Sequence, residues 1–152
     1  MSSDDRTHTA SRYIAAEPRA LYRAFMSADA LVRGLPPQGA TGEIEVFEPY
    51  DGGRLRMKLT FVSAPGKSSN STDVVEARFV GLTPEKRVGL SVRFVSDDPR
   101  FAGTMTMTWR LEPTPDGTLV TVVADAVPPG ITRAEHESGM ASTLANLARF
   151  VA

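Results

Sequence analysis

The chain has 152 residues, about one domain's worth, and 41% of them are hydrophobic, enough to fill a core. Seventeen Lys and Arg face eighteen Asp and Glu, for a formal net charge of -1, which supplies neither the basic excess nor the basic stripe of a nucleic-acid binder. There is no cysteine, so a disulfide scaffold, thiolate metal sites and a cysteine nucleophile are excluded.

Residues 1 to 6 are small, polar or charged and read as a frayed start. Thr7 to Ile14 carries Thr, Tyr and Ile and predicts a first strand. Pro18 then suits the first turn of a helix, where its missing N–H costs nothing. That helix, to about Met26, sets Leu21, Tyr22 and Phe25 on one face. Ser27 can cap a second short helix that ends at Gly34. Past the Pro36-Pro37-Gln38-Gly39 loop, strands follow one another, separated by turn signals. Gly42 to Phe47 is the first, and Tyr50-Asp51-Gly52-Gly53 turns it into Arg54 to Phe61. There Leu55, Met57, Leu59 and Phe61 alternate with Arg54, Arg56, Lys58 and Thr60. After a loop at Pro65 to Asn70 come Val74 to Val80 and then Val88 to Phe94. In the next strand Met105, Met107, Trp109 and Leu111 oppose a row of threonines. Pro115-Asp116-Gly117 turns into the last strand, Thr118 to Ala126. Thr132 and Glu135 make a capping box that opens the longest helix, with Met140, Leu144, Leu147 and Val151 on one stripe.

Consecutive strands on hairpin-length connections imply an antiparallel sheet. The predicted class is α+β: one domain over residues 7–152, with about seven strands curved around a long C-terminal helix and two short helices after the first strand. A curled sheet gripped by a helix can keep an apolar cavity of roughly 300–1,000 Å³. The methionines at 57, 105, 107 and 140 fall on inward faces, where they either fill a solid core or line that cavity.

Several segments carry a resemblance. They are Ile14-Ala15-Ala16-Glu17-Pro18 leading to Leu21-Tyr22-Arg23-Ala24-Phe25, Leu35-Pro36-Pro37-Gln38-Gly39 with Gly42, and Asp51-Gly52-Gly53-Arg54. Farther on come Leu111-Glu112-Pro113, Gly117-Thr118-Leu119-Val120-Thr121, and His136 with Gly139. In this order they resemble the helix-grip fold of the START-like (SRPBCC) superfamily, which includes polyketide cyclases, plant pathogenesis-related proteins and lipid-transfer domains. More narrowly they resemble the activator of heat-shock-protein-90-ATPase homologue-like family. Members of that family commonly carry a tryptophan where this chain has Gly34, and another where it has Met140. If both positions face the cavity, the two replacements enlarge it; alternatively, neighbouring side chains have repacked.

Chemistry-bearing motifs are sparse. His8 sits at the ragged start of the first strand, where solvent exposure is expected, and His136 lies in the first turn of the last helix. His136 has the chemistry to bind a ligand or move a proton. Two histidines in different segments make no metal-ligand pattern, and neither a G-x-S-x-G elbow nor a phosphate-binding glycine loop is present. Arg54, Arg56 and Lys58 share a strand face, and the solvated outer side of the sheet is their expected place. Arg93 alternates against Val92 and Phe94; it could reach across a pocket rim to a carboxylate, or take the ordinary surface location.

The residues and the resemblance together predict a cytoplasmic module that holds a small apolar or amphipathic molecule, without cofactor or metal. No stretch approaches the roughly 20 apolar residues a membrane helix needs. The expected lining is Gly34, Leu35, Phe47, Leu55, Met57, Arg93, Met107, Trp109, His136, Met140, Leu144 and Leu147. A rival is a cofactor-independent cyclase or aromatase in the same cavity, which requires His136 and Arg93 to point inward together. The family name alone implies a third role, contact with a chaperone. An exposed edge strand could also support a weak homodimer.

Overall fold

The computed structural model describes residues 6–34, 36, 39–61 and 72–151. Leu35, residues 1–5 of the expected frayed start, and the loop at Pro65 to Asn70 lie outside them. The chain runs β1 (His8–Ile14), α1 (Pro18–Phe25), α2 (Ala28–Gly34), β2 (Ala40–Phe47), β3 (Arg54–Phe61) and β4 (Thr72–Phe79). It continues through β5 (Arg87–Phe94), β6 (Met105–Thr114) and β7 (Gly117–Asp125) to α3 (Arg133–Val151). A single 3₁₀ turn, Pro99–Phe101, lies between β5 and β6, capped by the Asp98 carboxylate, which accepts from the Arg100 N–H.

The strands form a seven-stranded antiparallel sheet in the order β1-β7-β6-β5-β4-β3-β2. From β2 to β7 each strand pairs with its successor, so hairpins alone set that part of the order. The remaining pairing is non-local: His8 lies opposite Ala124 and Ile14 opposite Thr118. It brings the start of the chain beside its last strand, and α1 and α2 carry the chain across to the far edge. Arg6, assigned by its composition to the frayed start, is tied down instead. Its guanidinium donates to the carbonyls of Val127, Pro128 and Ile131, fixing the corner between β7 and α3.

Local chemistry explains the joints. At the β2–β3 turn a Cβ on Gly53 would lie 2.0 Å from the Glu48 carbonyl oxygen, so only glycine fits. The Ser27 hydroxyl accepts from the Ala30 N–H at 3.3 Å and caps α2. Thr132 accepts from the Glu135 N–H while its hydroxyl donates to the Glu135 carboxylate, opening α3 as its capping box predicts.

Period-two alternation then sorts the side chains. One face of the sheet, here the inner face, carries Val88, Leu90, Val92, Trp109, Leu111, Val120 and Val122, all buried. Helix α3 lies on this side, over β1 and against α2. Met140, Leu144 and Leu147 are its buried stripe. Burying a side chain of that size contributes about 1.5–3 kcal/mol, so these three hold the helix to the sheet. Val151 at the end of the stripe is half-buried, and Phe150 beside it is exposed.

Candidate functional site

Strand register assembles the space under α3 in rows. Val88, Trp109 and Val122 are direct neighbours across β5, β6 and β7, and Leu90, Met107, Ala124 and His8 form the next row. Leu55, Ala77, Val92 and Met105 form a third. Helix α1 brings Phe25 onto Trp109, with ring centroids 5.2 Å apart and planes tilted by 52°. Nearer the β2 edge, Phe47 meets Phe79 edge-on at 6.1 Å.

Eight of the described residues expected in the lining lie together, and Arg93 does not. Leu55, Met57, Trp109, Met140, Leu144 and Leu147 are buried in one cluster, with Phe47 and Met107 half-buried against it. Among the described residues, the space at the seam between α1–α2 and α3 is about 10 Å³, room for about one water. Ala24, Phe25, Ala30, Leu31, Gly34, Thr143 and Leu147 line it. Met57, Met105 and Met140 are buried beneath the helices, each with 5% exposure or less.

Gly34 sits where α2 comes against α3. A Cβ built on it would lie 3.7 Å from Leu147 Cδ1, so the α3 side chain has moved up to the glycine. Close packing also marks Gly42, whose Cβ would fall 2.8 Å from Pro36 Cγ and 3.6 Å from Met57 Sδ. Asn146 on α3 donates to the Pro36 carbonyl at 2.7 Å, tying the helix to the chain beyond α2. At Gly34 the Leu147 side chain occupies the space beside the glycine, and Met140 is buried.

Polar chemistry under the helix differs from expectation in two ways. His8, expected in solvent, is wholly buried. Its Nδ1 lies 2.8 Å from His136 Nδ1, and the rings meet edge-on with centroids 5.1 Å apart. One imidazole donates and the other accepts. The β1–β7 pairing is the cause, since it slides His8 along the inner row beneath the first turns of α3. Period two within β1 (His8, Ala10, Arg12, Ile14) is the signal that could have put His8 inward, given that Ile14 is core.

Arg93 is the second difference. It lies on the outer face, opposite Glu76 in register, and donates to the Glu76 carboxylate at 3.0 Å. The neighbours Val92 and Phe94 take the inner face, so alternation sends Arg93 out. His136 and Arg93 therefore stand on opposite sides of the sheet and form no common site. Arg54 and Arg56 are on the outer face as expected, and both reach Glu76. Glu45, at the β-bulge between Ile44 and Val46, accepts from Arg56 Nε at 3.0 Å. The Arg56 hydrogen bond holds the Glu76 carboxyl below its ordinary range, and Arg56 in turn is pushed up by Glu76 and Glu45. On α1, burial pushes the Tyr22 phenol up, with the Asp51 carboxylate adding to it.

Among the described residues no group of three or more His, Cys, Asp or Glu could hold a metal ion, and no helix is long and apolar enough to cross a membrane. Comparison with known proteins adds the following. The family model described as activator of Hsp90 ATPase homolog 1-like protein matches residues 15–152. A crystal structure of a Chromobacterium violaceum protein superposes with a TM-score of 0.86 at 27% identity, covering 96% of each chain. A solution structure from Arthrobacter aurescens gives 0.81 at 14% identity, covering 99% of this chain and 88% of that one. An AHSA1-like protein from Aeromonas hydrophila gives 0.73 at 18% identity, over 95% and 91%. No curated protein matches.

Proposed function

The chain belongs to the activator of Hsp90 ATPase homolog 1-like family, and from that premise we propose that it is a binding module for a small apolar or amphipathic molecule. The site is the seam between α1–α2 and α3. One observation carries this reading. Small residues line the seam, Ala24, Ala30, Gly34 and Thr143, backed by the apolar surfaces of Phe25, Leu31 and Leu147. Such a lining presents few polar groups and gives room quickly when the helices part. At about 10 Å³ the seam is closed here, so a ligand enters by moving α2 and the Pro36 segment away from α3, breaking the Asn146–Pro36 hydrogen bond. Occupancy selects that open arrangement because only it offers the apolar walls.

The cyclase alternative needed His136 and Arg93 together and loses its support with their separation across the sheet. Contact with a chaperone rests on the family name, and among the described residues no surface feature favours it over ligand binding.

Thermal unfolding against fatty acids, sterols and polycyclic aromatics tests the proposal. A ligand bound only by the folded state, at 100 times its dissociation constant, adds about 2.7 kcal/mol, or roughly 5–10 °C for a chain of this size. Thr143→Trp, on the half-buried rim of the seam, should abolish the shift, read against that variant's own unliganded midpoint. No saturable shift with any class of ligand, or a shift that survives Thr143→Trp, overturns the proposal.

A further inference from the structure

The outer face of the sheet carries a cluster of arginines around a depression. Between β3, β4 and β5 lies a depression of about 210 Å³, far larger than the seam under α3. Arg54, Arg56, Arg78 and Arg93 line it around Glu76, together with Leu55, Ala77, Ser91 and Thr104. Register explains the concentration. Arg56, Glu76 and Arg93 stand in one row across three strands, and Arg54 and Arg78 face each other in the next.

That second row breaks a local rule. Like charges directly opposite on neighbouring strands are destabilising, and no carboxylate lies between Arg54 and Arg78 in register. Arg87 and Arg110 oppose each other in the same way farther along β5, so opposition alone does not mark a site. The depression is what sets the Arg54–Arg78 row apart. Glu76 serves three of the four guanidiniums: Oε1 takes Arg54 and Arg56, and Oε2 takes Arg93 at 3.0 Å. Arg78 is exposed and donates to the Gly52 carbonyl at 2.9 Å. Four guanidinium charges against the two carboxylates Glu76 and Glu45 leave an excess of two cations. A guanidinium has five N–H donors, so most remain available after these bonds. The carboxylate holds the arginine forks in place while using only part of their capacity.

We propose that this depression binds a doubly charged phosphoryl group, either free phosphate or the phosphate of a small phosphorylated molecule. Guanidinium forks match such an oxyanion by paired N–H···O bonds. A shallow depression with four guanidiniums converging on it fits a compact anion better than an acidic polypeptide, which needs a longer charged surface. This site is independent of the apolar seam, from which the thickness of the sheet separates it.

The test is an ¹⁵N NMR titration of the full chain at constant ionic strength, which removes general screening. Inorganic phosphate forms one arm and glycerol phosphate the other. Saturable shifts are expected at amides on β3, β4 and β5 around residues 54–56, 76–78 and 91–93, with a dissociation constant of about 1 mM or tighter. Tighter binding of glycerol phosphate assigns the site to a phosphorylated molecule, and equal binding assigns it to the free ion. Arg78→Gln should weaken binding by about tenfold or more. Arg78→Lys, which keeps the charge but loses the fork, should fall between Gln and the parent. Arg78 is exposed, so circular dichroism should show both variants folded like the parent. Non-saturating shifts, binding unchanged in Arg78→Gln, or a response to polyglutamate but not to phosphate would each overturn the proposal.

Discussion

Gly34 offers the sharpest test of the packing under α3, because one position can be filled in steps. It is the last residue of α2, and its φ is not among the positive ones. A Cβ there would meet nothing nearer than Leu147 Cδ1 at 3.7 Å, an ordinary van der Waals distance. Gly34→Ala therefore adds a methyl without strain and removes conformational freedom from the unfolded chain. The expected gain is about 0.4–1 kcal/mol, which raises the midpoint by roughly 1–4 °C. Larger side chains meet a different limit, since the seam has only about 10 Å³ to offer. Gly34→Leu and Gly34→Trp must push Leu147 or α2 aside, at a cost of about 1–3 kcal/mol each. Differential scanning calorimetry on the three variants should show a rise for Ala and falls for Leu and Trp, with the Trp fall at least as large. A fall for Ala would mean that the glycine is needed for a backbone approach the geometry does not show. A rise for Trp would mean that the seam holds far more room than the side chains leave, and would refute the filled interior.

Two further predictions follow from the polar contacts. His8→Ala removes the Nδ1···Nδ1 hydrogen bond to His136 and empties a wholly buried position. It should lower stability by about 1–3 kcal/mol with an unchanged urea m-value, and a loss under about 0.5 kcal/mol would show that the pair carries no weight. Glu76 titrates below its ordinary value in the folded chain because Arg56 bonds its carboxylate. Its contribution is therefore complete above the unfolded carboxyl range and is lost as pH falls through the lowered folded value. Urea midpoints taken from about pH 6 down to about pH 3 should fall less steeply for Glu76→Gln than for the parent, and parallel curves would refute the assignment.

Much of this architecture is carried by short-range chemistry. Alternation in Arg54–Phe61 and Met105–Thr114, the hairpin glycines, the proline of α1 and the capping box at Thr132 each specify an element from a few adjacent residues. Consecutive hairpins then impose six of the seven strand positions, because neighbours in sequence pair first. Those same alternations sort which of Leu55, Met57, Trp109 and Arg56 face in or out.

Tertiary structure decided what no local pattern contains. The β1–β7 pairing spans nearly the whole chain, and it turns His8 from a ragged-end residue into the buried partner of His136. How much space remains under α3 depends on side chains from α1, α2, α3 and the sheet at once, so periodicity could name candidate lining residues but not the volume between them. Alternation along β5 gives the side on which Arg93 lies, but one strand considered alone does not reveal Glu76 as its cross-strand partner. Glu76 and the arginines converge only when β3, β4 and β5 are set side by side. Residue type and period set which way a side chain points; what it meets there is a property of the assembled sheet.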